Sequence, residues 1–309
     1  MICKLVKYDI VIDLSACYNR KKVSVQIRRI LSVMEILAFD IGGTNIKYGR
    51  ASLGKIHLTE KGCVPSDADK GVDIMLQNVE RIIQRQKFDA LCFATAGMVD
   101  RDGTIFYAND NIPGYTGCRL KEIFEQKYSV PVCVINDIAA AAIAEKCGED
   151  DYYFLSLGTG VGGIYVSNGA LMTGSSFMAG QIGYLPSYGR QNEIDKTASV
   201  RALEKNAGIN AAELFRLFRS GNESAKEKLK AWSREVVYVL SLIVGFINPP
   251  KIILGGGISV QGNCLLEVIG AEMRVMPIAY RNSFTLQTAK YFNDSGVIGA
   301  LKFMTEQMK

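Results

Sequence analysis

Two copies of one unit constrain this chain most: an apolar strand, a turn of glycine and threonine, and a second strand. In the first copy, residues 36–40 read as a buried strand ending in Asp40. The turn is Gly42-Gly43-Thr44, and a strand resumes at Ile46. In the second copy, residues 152–157 read as a strand, Gly158-Thr159-Gly160-Val161-Gly162-Gly163 follows, and residues 164–167 resume a strand. Such a turn leaves backbone N–H groups bare enough to face an anion. Taken singly, each copy is an ordinary glycine hairpin. Neither is a Walker A loop, because no GxxxxGK[ST] occurs, and neither is a dinucleotide fingerprint, because a strand rather than a helix follows the glycines.

The segments between the copies extend the pattern. Residues 36–40, 46–51 and 55–63 read as three consecutive strands. Val72, Met75, Val79 and Ile82 recur at helical spacing. Residues 90–96 and 131–136 read as buried strands, and 120–128 and 139–145 as helices. The order βββαβαβ is that of a mixed sheet with helices packed on it. After the second copy come helices at 198–206 and 211–218, and a long one around 232–247 that is apolar almost all round and therefore expected to be buried. Residues 251–254 read as a strand closed by Gly255-Gly256-Gly257, a turn that admits a flat ligand against backbone or is simply flexible. A helix over 297–308 follows.

Composition excludes several classes. At 309 residues, with 48% hydrophobic and 22% charged side chains, the chain suits one large or two medium globular domains. No apolar run reaches the ~18–20 residues of a membrane span. Eight cysteines are scattered without a CxxC pair, as expected of free thiols in a reducing cytoplasm. The one histidine, His57, argues against a His-based metal site or a Ser-His-Asp triad and reads as a surface residue. The net charge of +5 sits entirely in residues 1–33, which hold seven basic residues (Lys4, Lys7, Arg20, Lys21, Lys22, Arg28, Arg29) against Asp9 and Asp13. The remainder is neutral, so the body shows no bias toward nucleic acid. Residues 1–33 read as an extension outside the working protein, with translation expected to start at Met34; a functional basic arm is the alternative.

Two Gly/Thr turns from two halves can grip a polyphosphate from both sides of a cleft. A kinase built this way needs phosphate positioning, Mg²⁺ and a base on the acceptor hydroxyl. Asp40, at a strand end, suits Mg²⁺ held through water. Asp137, between a buried strand and a helix, suits the base, with Asn136 orienting the acceptor. The competing reading of Asn136-Asp137 is a helix N-cap.

Seven motifs in order carry a resemblance: residues 39–47 around Asp40-Ile41-Gly42-Gly43-Thr44, then Gly97-Met98-Val99-Asp100, Asn111-Ile112-Pro113-Gly114-Tyr115, 131–137, 157–163, Ala179-Gly180-Gln181-Ile182-Gly183-Tyr184 and 253–257. From Met34 onward the chain resembles the ROK family of bacterial sugar kinases and related repressors, within the actin/hexokinase/Hsp70 superfamily. The resemblance implies an α/β fold of two ribonuclease H-like (actin-like ATPase) domains with a cleft between them, divided as 34–135 plus 297–309 and 136–296. It implies ATP-dependent phosphorylation of a sugar, usually at the 6-hydroxyl, with Asp137 as general base. The sugar would meet Gly97, Asn111, Asn136, Gln181, Tyr184 and Asp195. ATP would meet Asp40, Gly42, Gly43, Thr44, Lys47, Gly158, Thr159, Gly160, Gly256 and Gly257, with Mg²⁺ on Asp40 through water. A cytoplasmic homodimer is implied.

The departures define the branch. Gln181 and Tyr184 stand where the family usually has Glu and His. The usual His touches the sugar near its anomeric carbon and binds a structural zinc, whose other ligands come from a CxCGxxGC segment. Residues 186–192 occupy that place without a cysteine, so no zinc is expected. The family's sugar-binding Glu aligns with Asp195, with Glu193 as a possible substitute. A zinc-free site with Tyr at the His position resembles β-glucoside kinases. N-acetylmannosamine kinases and glucokinases are the alternatives, and a sugar-responsive repressor or a non-catalytic sugar sensor are rivals of another class.

Overall fold

The computed structural model describes residues 2–5, 10–13, 34–53, 55, 57–148, 150–187 and 192–308. Most of the expected extension 1–33 lies outside the described residues. Within it, β1 (Ile2–Leu5) pairs antiparallel with β2 (Ile10–Asp13).

The first sheet begins with the meander β3 (Glu35–Ile41), β4 (Asn45–Ser52) and β5 (Thr59–Pro65). Helix α1 (Val72–Ile83) leads to β6 (Ala90–Thr95), which lies parallel to β3. A small hairpin, β7 (Met98–Val99) with β8 (Ile105–Tyr107), precedes α2 (Leu120–Tyr128). Strand β9 (Val132–Asn136) closes the sheet parallel to β6 and runs directly into α3 (Asp137–Glu145).

The second sheet repeats this plan. Strands β10 (Tyr152–Leu157), β11 (Val161–Ser167) and β12 (Ala170–Met172) form the meander. Helices α4 (Asp195–Ala198), α5 (Val200–Ala207), α6 (Ala211–Arg219) and α7 (Glu223–Phe246) follow. Then come β13 (Lys251–Gly255), α8 (Asn263–Glu272), α9 (Ile278–Arg281) and β14 (Thr285–Thr288), with α10 (Ser295–Gln307) last. The sheet orders are β5-β4-β3-β6-β9 and β12-β11-β10-β13-β14. In chain order both read 3-2-1-4-5.

The two-residue period of the strands sorts side chains into layers. In β3, Leu37, Phe39 and Ile41 face Met75, Val79 and Phe124 of α1 and α2. Ile36 and Ala38 face the other way, into a layer built from α3 and α10. Tyr152 and Phe154 of β10 enter that same layer from the second sheet. Tyr153, Leu155 and Leu157 point outward onto Leu240 and Ile243 of α7. Two helices thus lie between the sheets, and both sheets have apolar cover on both faces. Close packing there needs small residues: Ala139, Ala140, Ala142 and Ala144 are buried on α3. A Cβ on Gly299 of α10 would stand 1.7 Å from the Ala140 carbonyl oxygen.

Three expectations shift. The third strand begins at Thr59, leaving His57 outside it. The helix expected over 198–206 starts at Val200, because Ser199 is extended and caps it, its side-chain oxygen accepting from the Ala202 N–H at 3.1 Å; the short α4 ends just before, at Ala198. Helix α7 starts at Glu223, where the Asn222 side chain accepts from the Ala225 N–H. Its far end is not buried: Phe246 is 84% exposed.

Candidate active site

The β9–α3 junction is the helix N-cap of the competing reading of Asn136-Asp137, and it also fixes the Asp137 carboxylate. Asn136 is the N-cap: its side-chain oxygen accepts from the Ile138 and Ala139 N–H groups, each at 3.0 Å. Its amide nitrogen donates to the Gly97 carbonyl at 2.8 Å and to Asp137 Oδ1 at 2.9 Å. The Ile138 N–H adds a bond to the same Oδ1 at 2.8 Å. Both lone pairs and both protons of the Asn136 amide are engaged, so its visible work is to fix Asp137. Gly97 adopts φ +97°, a conformation rare for other residues, and presents that carbonyl. Burial, then the charge of Asp40, pushes the Asp137 carboxyl up to about 7; its hydrogen bonds to Ile138 and Asn136 oppose the rise.

Asp40 is placed by register. It lies directly across from Lys47 on β4, and Lys47 Nζ donates to Asp40 Oδ2 at 3.2 Å. Burial raises the Asp40 carboxyl, and Lys47 partly offsets it. Helix α10 arrives against this carboxylate at Gly296, where a Cβ would stand 2.5 Å from Asp40 Cγ. The first turn is closed by the Gly42 N–H donating to the Asn45 carbonyl at 3.0 Å.

In the second turn, the Gly158 N–H donates to the Gly160 carbonyl at 2.9 Å. The Asp195 carboxylate accepts from the Val161 N–H at 2.5 Å and packs where a Cβ on Gly160 or Gly183 would clash. Burial raises the Asp195 carboxyl, against the pull of that N–H. The triple glycine divides by role. A Cβ on Gly255 would strike the Phe154 ring and one on Gly256 the Leu157 carbonyl, whereas Gly257 has open space. Gly43 and Gly158 are likewise open.

These elements meet in one cleft of about 1470 Å³ between the sheets. Asp40, Gly42, Gly43, Thr44 and Lys47 line it from one side, Thr159, Gly160, Gly256 and Gly257 from the other, and Asp137 stands at the seam. A smaller cavity of about 310 Å³ adjoins it, lined by Asp137 together with Gly97, Asn111, Asn136, Gln181, Tyr184 and Asp195. Every residue expected on the sugar side is on that wall. Gly158 lines the smaller cavity only. Asp195 reaches both spaces, while Glu193 lines the larger alone and pairs with Lys196.

Other lining residues have weaker sequence signals. Tyr107 and Asn109 line the smaller cavity beside Tyr184. Asn109 lies two residues before Asn111 in one turn, which was its available signal. Burial, with Tyr107 and Asp195 nearby, raises the Tyr184 hydroxyl. Arg201 and Lys205 line the larger cleft from one face of α5, at i,i+4 spacing.

Among the described residues no three His, Cys, Asp or Glu side chains form a metal-binding group. Residues 188–191, within the segment expected to lack zinc ligands, lie outside the described residues. Asp40, a carboxylate lining the wide polar cleft, fits Mg²⁺ held through water. No described helix is long and apolar enough to cross a membrane.

The ROK family model matches residues 36–307. N-acetylmannosamine kinase of Pasteurella multocida is 26% identical over 295 residues, covering 89% of this chain and 98% of that protein. Beta-glucoside kinase of Listeria innocua is 26% identical over 297 residues, covering 89% and 99%. A ROK family glucokinase from Streptomyces griseus, solved with glucose and AMPPNP, superposes with TM-score 0.77 at 23% identity, covering 87% of this chain and 98% of that one. The chain belongs to the ROK family and has its two-sheet, actin-like fold.

Proposed function

We propose that this carbohydrate kinase transfers the γ-phosphoryl group of ATP to the 6-hydroxyl of a hexose or β-glucoside, with Asp137 as general base. The observation that carries the reading is Asp137 itself, a carboxylate fixed by Asn136 and the Ile138 N–H where the two spaces join. Asp137 faces a polar cleft with two Gly/Thr turns and a small cavity with the sugar-side residues.

The chemistry follows from placement. Phosphoryl transfer asks the protein mainly for alignment and charge stabilisation. Backbone N–H groups at Gly43, Thr44, Thr159 and Gly160, with the two threonine hydroxyls, hold phosphates from both lobes. Lys47 and the Asp40 carboxylate it pairs with hold the entry side. Mg²⁺ on Asp40 through water would neutralise developing phosphate charge. Asp137 takes the proton of the acceptor hydroxyl as it attacks. A carboxyl near neutrality is a stronger base than an ordinary aspartate and is still charged in a useful fraction at pH 7. Asn136 and the Ile138 N–H hold that carboxyl in place. Asn111, Gln181 and Asp195 supply hydrogen bonds to the other sugar hydroxyls.

Tyr184, in place of the family's usual His, widens the chemistry at the anomeric side and supports the β-glucoside reading. The relatives named for N-acetylmannosamine and glucose keep those sugars as alternatives. We place the enzyme in the cytoplasm, zinc-free and homodimeric. The apolar side chains Phe246, Val275 and Ile278, exposed on adjoining elements of the second lobe, support a self-association surface.

A coupled ADP-release screen with Mg·ATP tests the reading, using glucose, cellobiose, gentiobiose, fructose, mannose and N-acetylmannosamine. Turnover with a glucoside is expected, in a preparation without stoichiometric zinc and with the mass of a dimer by light scattering. ADP release with none of these sugars contradicts the kinase reading; salt-dependent DNA binding by the same preparation would favour a repressor.

A further inference from the structure

The larger cleft does not end at the phosphate turns. Beyond Gly256 and Gly257 it reaches Phe292 and Asn293, in the segment that leads into α10. The 3-10 turn Phe292–Asp294 packs against another, Gly257–Gln261, so Phe292 and Gly257 line the cleft as neighbours. Nothing lies within 4 Å of where a Cβ on Gly257 would stand, which leaves room for a flat group against its backbone. Arg201 and Lys205 of α5 line the same space and supply positive charge for phosphates. Among the described residues two aromatic side chains line this cleft, Tyr184 and Phe292. Tyr184 also belongs to the sugar-side cavity, and Phe292 does not.

Phe292 is 44% exposed, an apolar ring in a polar cleft. Its φ of 45° is left-handed, an uncommon conformation for a bulky side chain. Several contacts hold it there. Glu145, buried at the last position of α3, accepts from the Lys290 N–H at 2.7 Å and the Tyr291 N–H at 3.3 Å. The Asp294 N–H donates to the Tyr291 carbonyl at 2.9 Å, and the Ser295 hydroxyl donates to the Phe292 carbonyl at 2.7 Å. Lys61 pairs with Asp294. Strain of this kind persists where surrounding contacts over-determine it, and it collects at ligand clamps. Helix α3 thus serves the cleft at both ends, with Asp137 at one and the Glu145 anchor at the other. A half-exposed aromatic face beside bare backbone suits the π-face of a nucleobase.

We propose that Phe292 is the platform on which the purine base of the phosphoryl donor rests, beside the Gly257 backbone. The inference rests on the kinase reading of the cleft, in which the triphosphate lies on the two Gly/Thr turns. It places the preference for a nucleotide over a bare polyphosphate in this one ring. The phosphoryl group that moves stays beside Asp137, and the base contributes binding alone.

Calorimetric titration with Mg²⁺ and either AMPPNP or inorganic tripolyphosphate, which has no base, tests this without turnover. The unaltered protein should bind AMPPNP about tenfold or more tightly than tripolyphosphate. Phe292→Gly removes the ring and suits a φ of 45°. It should weaken AMPPNP binding by about 5–30-fold and leave tripolyphosphate within about twofold, while Phe292→Tyr keeps both affinities. Equal affinity of the unaltered protein for the two ligands overturns the platform, and so does unchanged AMPPNP binding in Phe292→Gly; in both cases the phosphate clamp stands. Equal loss of both ligands makes the ring a part of the cleft's shape and overturns the platform too, as does a loss of AMPPNP affinity that Phe292→Tyr shares. Failure of the unaltered protein to bind either ligand fails the kinase reading, and the platform with it.

Discussion

Burial favours a protonated Asp137, and the proposed role as base needs it charged. The structure holds this tension with specific partners: the Ile138 N–H and the Asn136 amide favour the charged form, while desolvation and Asp40 oppose it. The balance has a consequence for stability. In the unfolded chain this carboxyl titrates at its ordinary 3.8, in the folded protein at about 7. Between those values the folded state keeps a proton that the unfolded state has released. Folding stability therefore falls as pH rises from about 4 to about 7, and stays lowered above that. Asp137→Asn keeps the oxygen that accepts from Ile138 and removes the charge. Its melting temperature should exceed that of the unaltered protein, by more at pH 8 than at pH 5. A gap that is constant or shrinks with pH contradicts the assigned environment. At this scale the sequence was legible wherever a residue sits in a motif. Asp40, Asp137, Gln181 and Tyr184 line the cavities as expected. The Phe106–Phe177 ring contact was not legible, because it joins residues about 70 positions apart on different lobes.

Among elements, the helix pair α3–α10 decides the geometry of the seam. One end of α3 carries Asp137, and the first turn of α10 brings Gly296 against Asp40. Their spacing is set by Gly299 on Ala140, and no side chain there can move aside because the obstacle is a backbone carbonyl. Gly299→Ala should destabilise the fold by about 1–3 kcal/mol through overpacking, measured by urea denaturation. Unchanged stability would mean that the two helices are not in this contact. The strands and most helices were readable from period and turn residues, since each has one clear pattern. Two cases resisted. Helix α7 has a charged first half, which hid its start at Glu223, and its apolar stretch runs past the core to exposed Phe246. The start of α5 at Val200 was hidden because Ala198 is a good helix former, and only the Ser199 cap on Ala202 marks the boundary.

The two described sheets are one plan used twice, with the candidate cleft where the two copies face. The repeat of strand, Gly/Thr turn and strand made this much visible in the sequence, because two like turns imply two like sheets. The choice of sugar was not visible in the repeat, since most of the residues proposed to meet the sugar lie in segments that differ between the copies: residues 97–115 in one and 173–187 in the other. Both lobes contribute to each cavity, so neither half should phosphorylate anything alone. The central claim is that Asp137 is the base at the point where the cavities join. ADP release by Asp137→Asn, with its best sugar at saturation, tests that claim most directly, alongside calorimetric sugar binding to the same variant. Turnover should fall by about 10²–10⁴-fold while sugar affinity stays close to that of the unaltered protein. Near-normal turnover in Asp137→Asn would contradict the account.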